Sequence, residues 1–168
     1  MSFTAHYTTL LSRVEAAAKD ALECEVAQEV KDIMKEQTGY QVYSYDASPM
    51  AMATRRVDDG GLGDQRNMRS DVQGDGAGTY TLTVENTAPF QFPMGGGTAL
   101  SDVVEKGLKA YNQPYPRPFV AATQTQAVSS GRAYQALKNG LRRKGRRIPQ
   151  TMWGPDTVRV SQFDRIFT

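Results

Sequence analysis

Cysteine and histidine occur once each among the 168 residues of this chain, and each scarcity removes a class of chemistry. A single cysteine, Cys24, cannot close an internal disulfide, so the fold must hold by packing. It stands among Ala21, Leu22 and Val26 and is expected to be a small buried hydrophobe without a chemical role. The one histidine, His6, has no activated Ser or Cys motif beside it, which leaves no base for a nucleophilic triad. One His and one Cys also fall short of the three or four ligands that zinc takes, and no metal or cofactor is expected. No window approaches the roughly 18 consecutive apolar residues of a membrane helix, so no membrane contact is expected. Residues 1–11 lack the basic start, apolar centre and small-residue cleavage site of a secretory signal, and synthesis in a reducing cytoplasm follows as the expectation.

What is present is charge, unevenly placed. Residues 15–36 hold seven acids against three lysines, whereas residues 132–147 hold seven bases and no acid, under a net charge of only +2. Such halves can pair within a subunit, between subunits, or with a polyanion. The acidic stretch is periodic. Leu11, Val14, Ala18, Leu22, Val26, Val30 and Ile33 recur at three or four residues and trace one stripe of a long helix, with Thr8 or Thr9 to cap its start and Gly39 to stop it.

Two segments then alternate as strands. Residues 41–45 alternate with β-branched and aromatic residues, and residues 79–85 (TYTLTVE) place Tyr80, Leu82 and Val84 on one face, so the two are expected to neighbour each other in one sheet. Between them, residues 58–78 carry six glycines and form a long loop with one short strand over residues 68–72 and a hairpin turn at Gly74-Asp75-Gly76. Residues 86–97 are rich in Pro and Gly and form a further loop. Residues 99–109 make a short helix that Ser101 can cap, and NQPYPRPF (residues 112–119) is a rigid extended connector. Residues 120–141 form a second long helix, with Val128, Tyr134, Leu137 and Leu141 on one side. The expected class is α+β: a small antiparallel sheet packed by a long N-terminal and a C-terminal helix in one domain, residues 1–147, with an extended arm over residues 148–168.

Few groups carry chemistry. Asp58, Asp59 and Asp64 share a loop, but calcium ligands alternate at fixed positions before a closing Glu that is missing here, and a magnesium-dependent nuclease on these carboxylates is the least supported reading. Gly95-Gly96-Gly97 lacks the Gly-Lys-Ser/Thr ending of a phosphate loop. The strongest electrostatic feature is Arg142, Arg143, Lys144, Arg146 and Arg147, a set suited to nucleic acid or to an acidic protein partner. Beyond it, Met152, Trp153, Val158, Val160, Phe163, Ile166 and Phe167 make the arm too apolar to stay in water. Its destination is its own core or a neighbour.

Taken in order, the N-terminal helix, VYSYDASP, the Arg55-Arg56 pair, Gly60-Gly61-Leu62 with Asp64 and Asn67, TLTVENTAP, VVEKG and PRPF resemble the neck and tail-completion (head–tail joining) virion proteins of tailed bacteriophages. The resemblance covers roughly residues 10–144. It departs from the pattern near Met52, where an aromatic is usual, and has no counterpart for the arm. It implies a non-enzymatic α+β subunit that assembles with copies of itself into a ring, a hexamer or dodecamer, around the channel through which DNA passes. Neighbouring neck, connector or tail-tube proteins would be its partners, with non-specific contact to DNA in the channel, and the virion its destination. Under that resemblance Arg55, Arg56, Gly60, Gly61, Asp64, Arg117, Trp153, Phe163 and Phe167 fall at subunit interfaces. The loop over residues 60–78, expected to be too long and polar for burial, would reach the next subunit, and Arg117 would make either a contact across the interface or a structural salt bridge. The alternative is an accessory protein that binds nucleic acid without sequence preference through residues 142–147.

Overall fold

The computed structural model describes residues 3–44, 58–89, 99–107 and 115–144, with side chains from residue 11 onward. It is an α+β chain with a long N-terminal helix and a two-stranded antiparallel sheet. Helix α1 (Phe3–Ala21), a π-helical turn (Leu22–Val26), α2 (Ala27–Thr38) and a second π-helical turn (Gly39–Tyr43) follow one another without a break. A 3-10 turn (Gln65–Asn67) leads into strand β1 (Met68–Gly74), which pairs with β2 (Tyr80–Asn86); helices α3 (Leu100–Lys106), α4 (Phe119–Ser129) and α5 (Arg132–Arg143) complete the described chain.

The long helix departs from its expected course in three places, each with a physical cause. It begins at Phe3, so Thr8 and Thr9 lie inside it and not at its start. The first π-helical turn inserts an extra residue into the buried line, which runs through Ala17 and Ala21 and then steps five residues to Val26, Val30 and Ile33. The regular stripe therefore holds from Val26 onward and fails before it, where Leu11 and Val14 are each 43% exposed. The same shift turns Cys24 outward, contrary to the burial expected for it. At the other end Gly39 does not stop the helix, and residues 41–43 are helical rather than extended, so β2 pairs with β1 and not with them. Thr38, fully buried, returns its hydroxyl to the Met34 carbonyl at 2.7 Å, and Val42 continues the buried line one turn later. Burial at Val42 outweighs the strand preference of its tyrosine neighbours.

The hairpin follows its local chemistry. Met68 and Val72 of β1 and Leu82 and Val84 of β2 are buried while their neighbours face water. The Asp75 carboxylate accepts from the amides of Ala77 (2.7 Å) and Thr79 (3.0 Å), which closes the turn and holds the carboxyl below its usual pKa. Before α3, Ser101 does not cap the helix; its hydroxyl donates to the Asn86 carbonyl at 2.9 Å. The expected second long helix is two helices, α4 and α5, broken at Ser130-Gly131, where Gly131 has φ +71°.

The chain forms two compact units, one of residues 1–29, 70–83 and 128–168, the other of residues 30–69 and 84–127. In the first, α5 runs antiparallel to α1 and the π-helical turn after it: Arg132 pairs with Glu29 at one end, and at the other Arg143 pairs with Asp20 (2.7 Å) and Glu25 (2.6 Å). Small residues let the axes approach. A Cβ on Gly140 would lie 2.6 Å from the Ala21 Cβ and 3.0 Å from its Cα. Gly140→Ala is expected to lower stability by about 1–2 kcal/mol in urea unfolding, overpacking here outweighing the roughly 1 kcal/mol that alanine gains in a helix. Unchanged or raised stability would show that the helices part without cost. The second unit has its core in Ile33, Met34, Leu62, Val103 and Phe119, all essentially inaccessible to solvent.

Candidate assembly surface

Within the second unit the loop before β1 is tied into a polar knot around Asp64. Its carboxylate, on a residue only 6% exposed, accepts from the amides of Gly60 (2.8 Å) and Arg66 (3.0 Å) and takes a two-point contact from the Arg66 guanidinium, Nε to Oδ1 at 2.9 Å and Nη2 to Oδ2 at 2.6 Å. The Asn67 side chain donates to the Gly61 carbonyl, the Asn86 side chain to that of Leu62, and Gln65 to Asp32 on α2. Arg66, foremost, and the Gly60 amide drive the Asp64 pKa far below the carboxylate norm, against the opposing effect of burial.

This corrects in part the expectation that the loop over residues 60–78 is too long and polar for burial: residues 69–71 and 73–78 are exposed, but its first turn is not. Residues 61–64 are buried in their own chain because nearly every polar group in the knot finds an internal partner. The three loop carboxylates each face a cation: Asp64 and Asp59 meet Arg66, and Asp58 meets Lys35 at 2.8 Å. Lys35 has its pKa raised by that hydrogen bond. Among the described residues no group of His, Cys, Asp or Glu is arranged to hold a metal ion. Arg66, which sequence reasoning passed over, is the outward side of the knot, with its side chain 74% exposed.

Arg117 lies in the same unit and is half-buried. Its amide donates to the Val104 carbonyl at 3.0 Å and its Nη1 to the Val42 carbonyl at 3.3 Å, so it clasps the end of the long helix to the connector before α4. Its flanks are the open part. Tyr115, two residues away in extended chain, is 73% exposed, and Tyr40, two residues before Val42, is 70% exposed. Glu105 receives the amides of Val120 (3.0 Å) and Ala121 (3.2 Å), which caps α4 from α3.

The basic set divides. Arg143 and Lys144 are committed to Asp20 and Glu25 of their own chain, and Arg142 is exposed. Exposed pairs of this kind add little stability. Arg146, Arg147, Arg55, Arg56, Trp153, Phe163 and Phe167 lie outside the described residues. Tyr40 and Tyr115 were missed as surface candidates because exposure is a tertiary property; the one legible signal was Tyr115 inside the rigid PYPRPF.

A family model described as YomN matches residues 6–143, all but the ends of the chain. No curated protein and no solved structure matches it.

Proposed function

The chain belongs to the YomN family, a phage-derived (SPbeta-type) protein family, and on that basis we propose that it is a structural virion protein of a tailed phage, a ring-forming subunit that joins or completes the tail at the head–tail neck. The observation that carries the reading is the exposure of Tyr40 and Tyr115, each two residues in sequence from a partner of the Arg117–Val42 contact. Tyrosine and arginine concentrate binding energy at protein interfaces, since a large ring is buried at the expense of only two rotatable bonds. Prolines 116 and 118 restrict the backbone around Arg117 before any partner arrives, which lowers the ordering cost of association. Copies of the same chain and adjoining neck, connector or tail-tube proteins are the partners that such a surface fits. The partnering of Arg143 and Lys144 with acids of their own chain leaves the nucleic-acid reading with fewer free charges.

Tyr40→Asp combined with Tyr115→Asp tests this in a particle-assembly assay. Joined particles are expected to fall by about tenfold or more, with heads and tails lying separate in electron micrographs while the purified variant keeps its far-UV circular dichroism. Wild-type yields would sink the proposal. Micromolar duplex binding by a monomer, lost when Arg142, Arg143, Lys144, Arg146 and Arg147 are neutralised, would replace it with accessory nucleic-acid binding.

A further inference from the structure

We propose that residues 148–168 dock on the first turns of α1 of their own chain, so that the tail and the start of the long helix form one apolar layer. Residues 11–16 are all exposed, around more than a full turn, and Leu11 and Val14 are large apolar side chains in water. In sequence their spacing continues through Tyr7 to Phe3, a stripe at four, four and three residues. An apolar stripe on one face of a helix gains by packing against a partner.

The occupant is set by where the described chain ends. Because α5 is antiparallel to α1, its C-terminus lies beside Asp20, with the Lys144 ammonium 3.2 Å from the Asp20 carboxylate. Continuing in that direction leads along α1 toward Phe3. The distance from the level of Asp20 to that of Phe3 is roughly 25 Å at 1.5 Å per residue. The 24 residues after Lys144 extend to about 80 Å, so the reach is ample. The segment supplies Trp153, Val158, Val160, Phe163, Ile166 and Phe167, enough apolar surface for the exposed face. A tethered segment acts at an effective millimolar concentration, which a second copy reaches only when concentrated. Of the two destinations open to the arm, this favours its own chain. The inference stands apart from the assembly reading.

The single tryptophan, Trp153, reports on it directly in the full-length protein. Its emission is expected at shorter wavelength than that of free tryptophan, with reduced acrylamide quenching that does not change on dilution, and Leu11→Glu with Val14→Glu should abolish the shielding. Since that variant could unfold α1, a second one works from the arm: Phe163→Asp with Phe167→Asp should speed amide exchange over residues 3–14 by about tenfold. Three outcomes overturn the proposal: quenching of wild-type Trp153 like that of free tryptophan, shielding that appears only as the protein is concentrated (a second copy on this face), or unaltered exchange in the arm variant.

Discussion

Gly107→Ala is expected to destabilise the chain by about 3–4 kcal/mol, combining roughly 1–2 kcal/mol for a side chain in the left-handed region with the cost of overpacking against backbone. Gly107 ends α3 at φ +64°, ψ +59°, its amide bonded to the Val103 carbonyl. A Cβ there would lie 2.3 Å from the Pro116 nitrogen and 2.5 Å from the Tyr115 carbonyl carbon, atoms that cannot swing aside as a side-chain tip can. Relief requires the connector to lift from α3. That would break the bond from the Arg117 amide to Val104 and the reach of Arg117 to Val42, so the fold and the exposed tyrosines near these residues in sequence are disturbed together. Urea unfolding decides, with Gly131→Ala as the control. Gly131 has φ +71° but open space around its missing Cβ, so it should lose only about 1–2 kcal/mol, the conformational part alone. Equal losses at both glycines would mean that the contact with Pro116 contributes nothing.

The parts of this fold that could be read from sequence are those whose causes are local. The hairpin needed only the alternation of Tyr80, Leu82 and Val84 and an aspartate able to cap its own turn, and it formed where expected. Ser129, Ser130 and Gly131 also spelled a break, one that the apparent period across residues 120–141 concealed. The misreadings have distant causes. Residues 41–43 look like a strand by composition, and they are helical because Val42 is buried and its carbonyl is met by Arg117, 75 residues away. The five-residue step from Ala21 to Val26 lies where Gly140 of α5 packs on Ala21 and Glu25, so a helix read at constant period exposes Leu11 and Val14 without warning. The candidate surface divides in the same way. Charge asymmetry between the acidic helix and the basic end was visible, but nothing in the sequence chose pairing within one chain over pairing between chains. Arg117 stood out through its prolines, whereas Arg66 gave no signal because its role depends on a carboxylate buried by the fold.

Asp64→Asn is expected to lower the thermal midpoint at pH 7 by roughly 5–10 °C, and Asp64→Ala by more, since alanine leaves the Gly60 amide and the Arg66 guanidinium without their acceptor. The asparagine variant separates charge from shape, because it retains one carbonyl acceptor in place of a carboxylate with two. Its pH dependence follows from the depressed pKa. A carboxyl that is more acidic folded than unfolded contributes stability that is complete above its unfolded pKa, near 4, and that is lost as pH falls toward its folded value. The wild-type advantage over Asp64→Asn should therefore be constant from pH 7 down to about 5 and shrink below about 4. Asp75, another carboxyl held below its usual pKa, is common to both proteins and cancels in the comparison. A difference that stayed level to pH 3 would show that Asp64 acts through hydrogen-bond geometry alone, with the Arg66 charge irrelevant. Arg66→Gln should flatten the pH response only in part, because the two backbone amides still favour the carboxylate, and the part lost is the share that the guanidinium contributes.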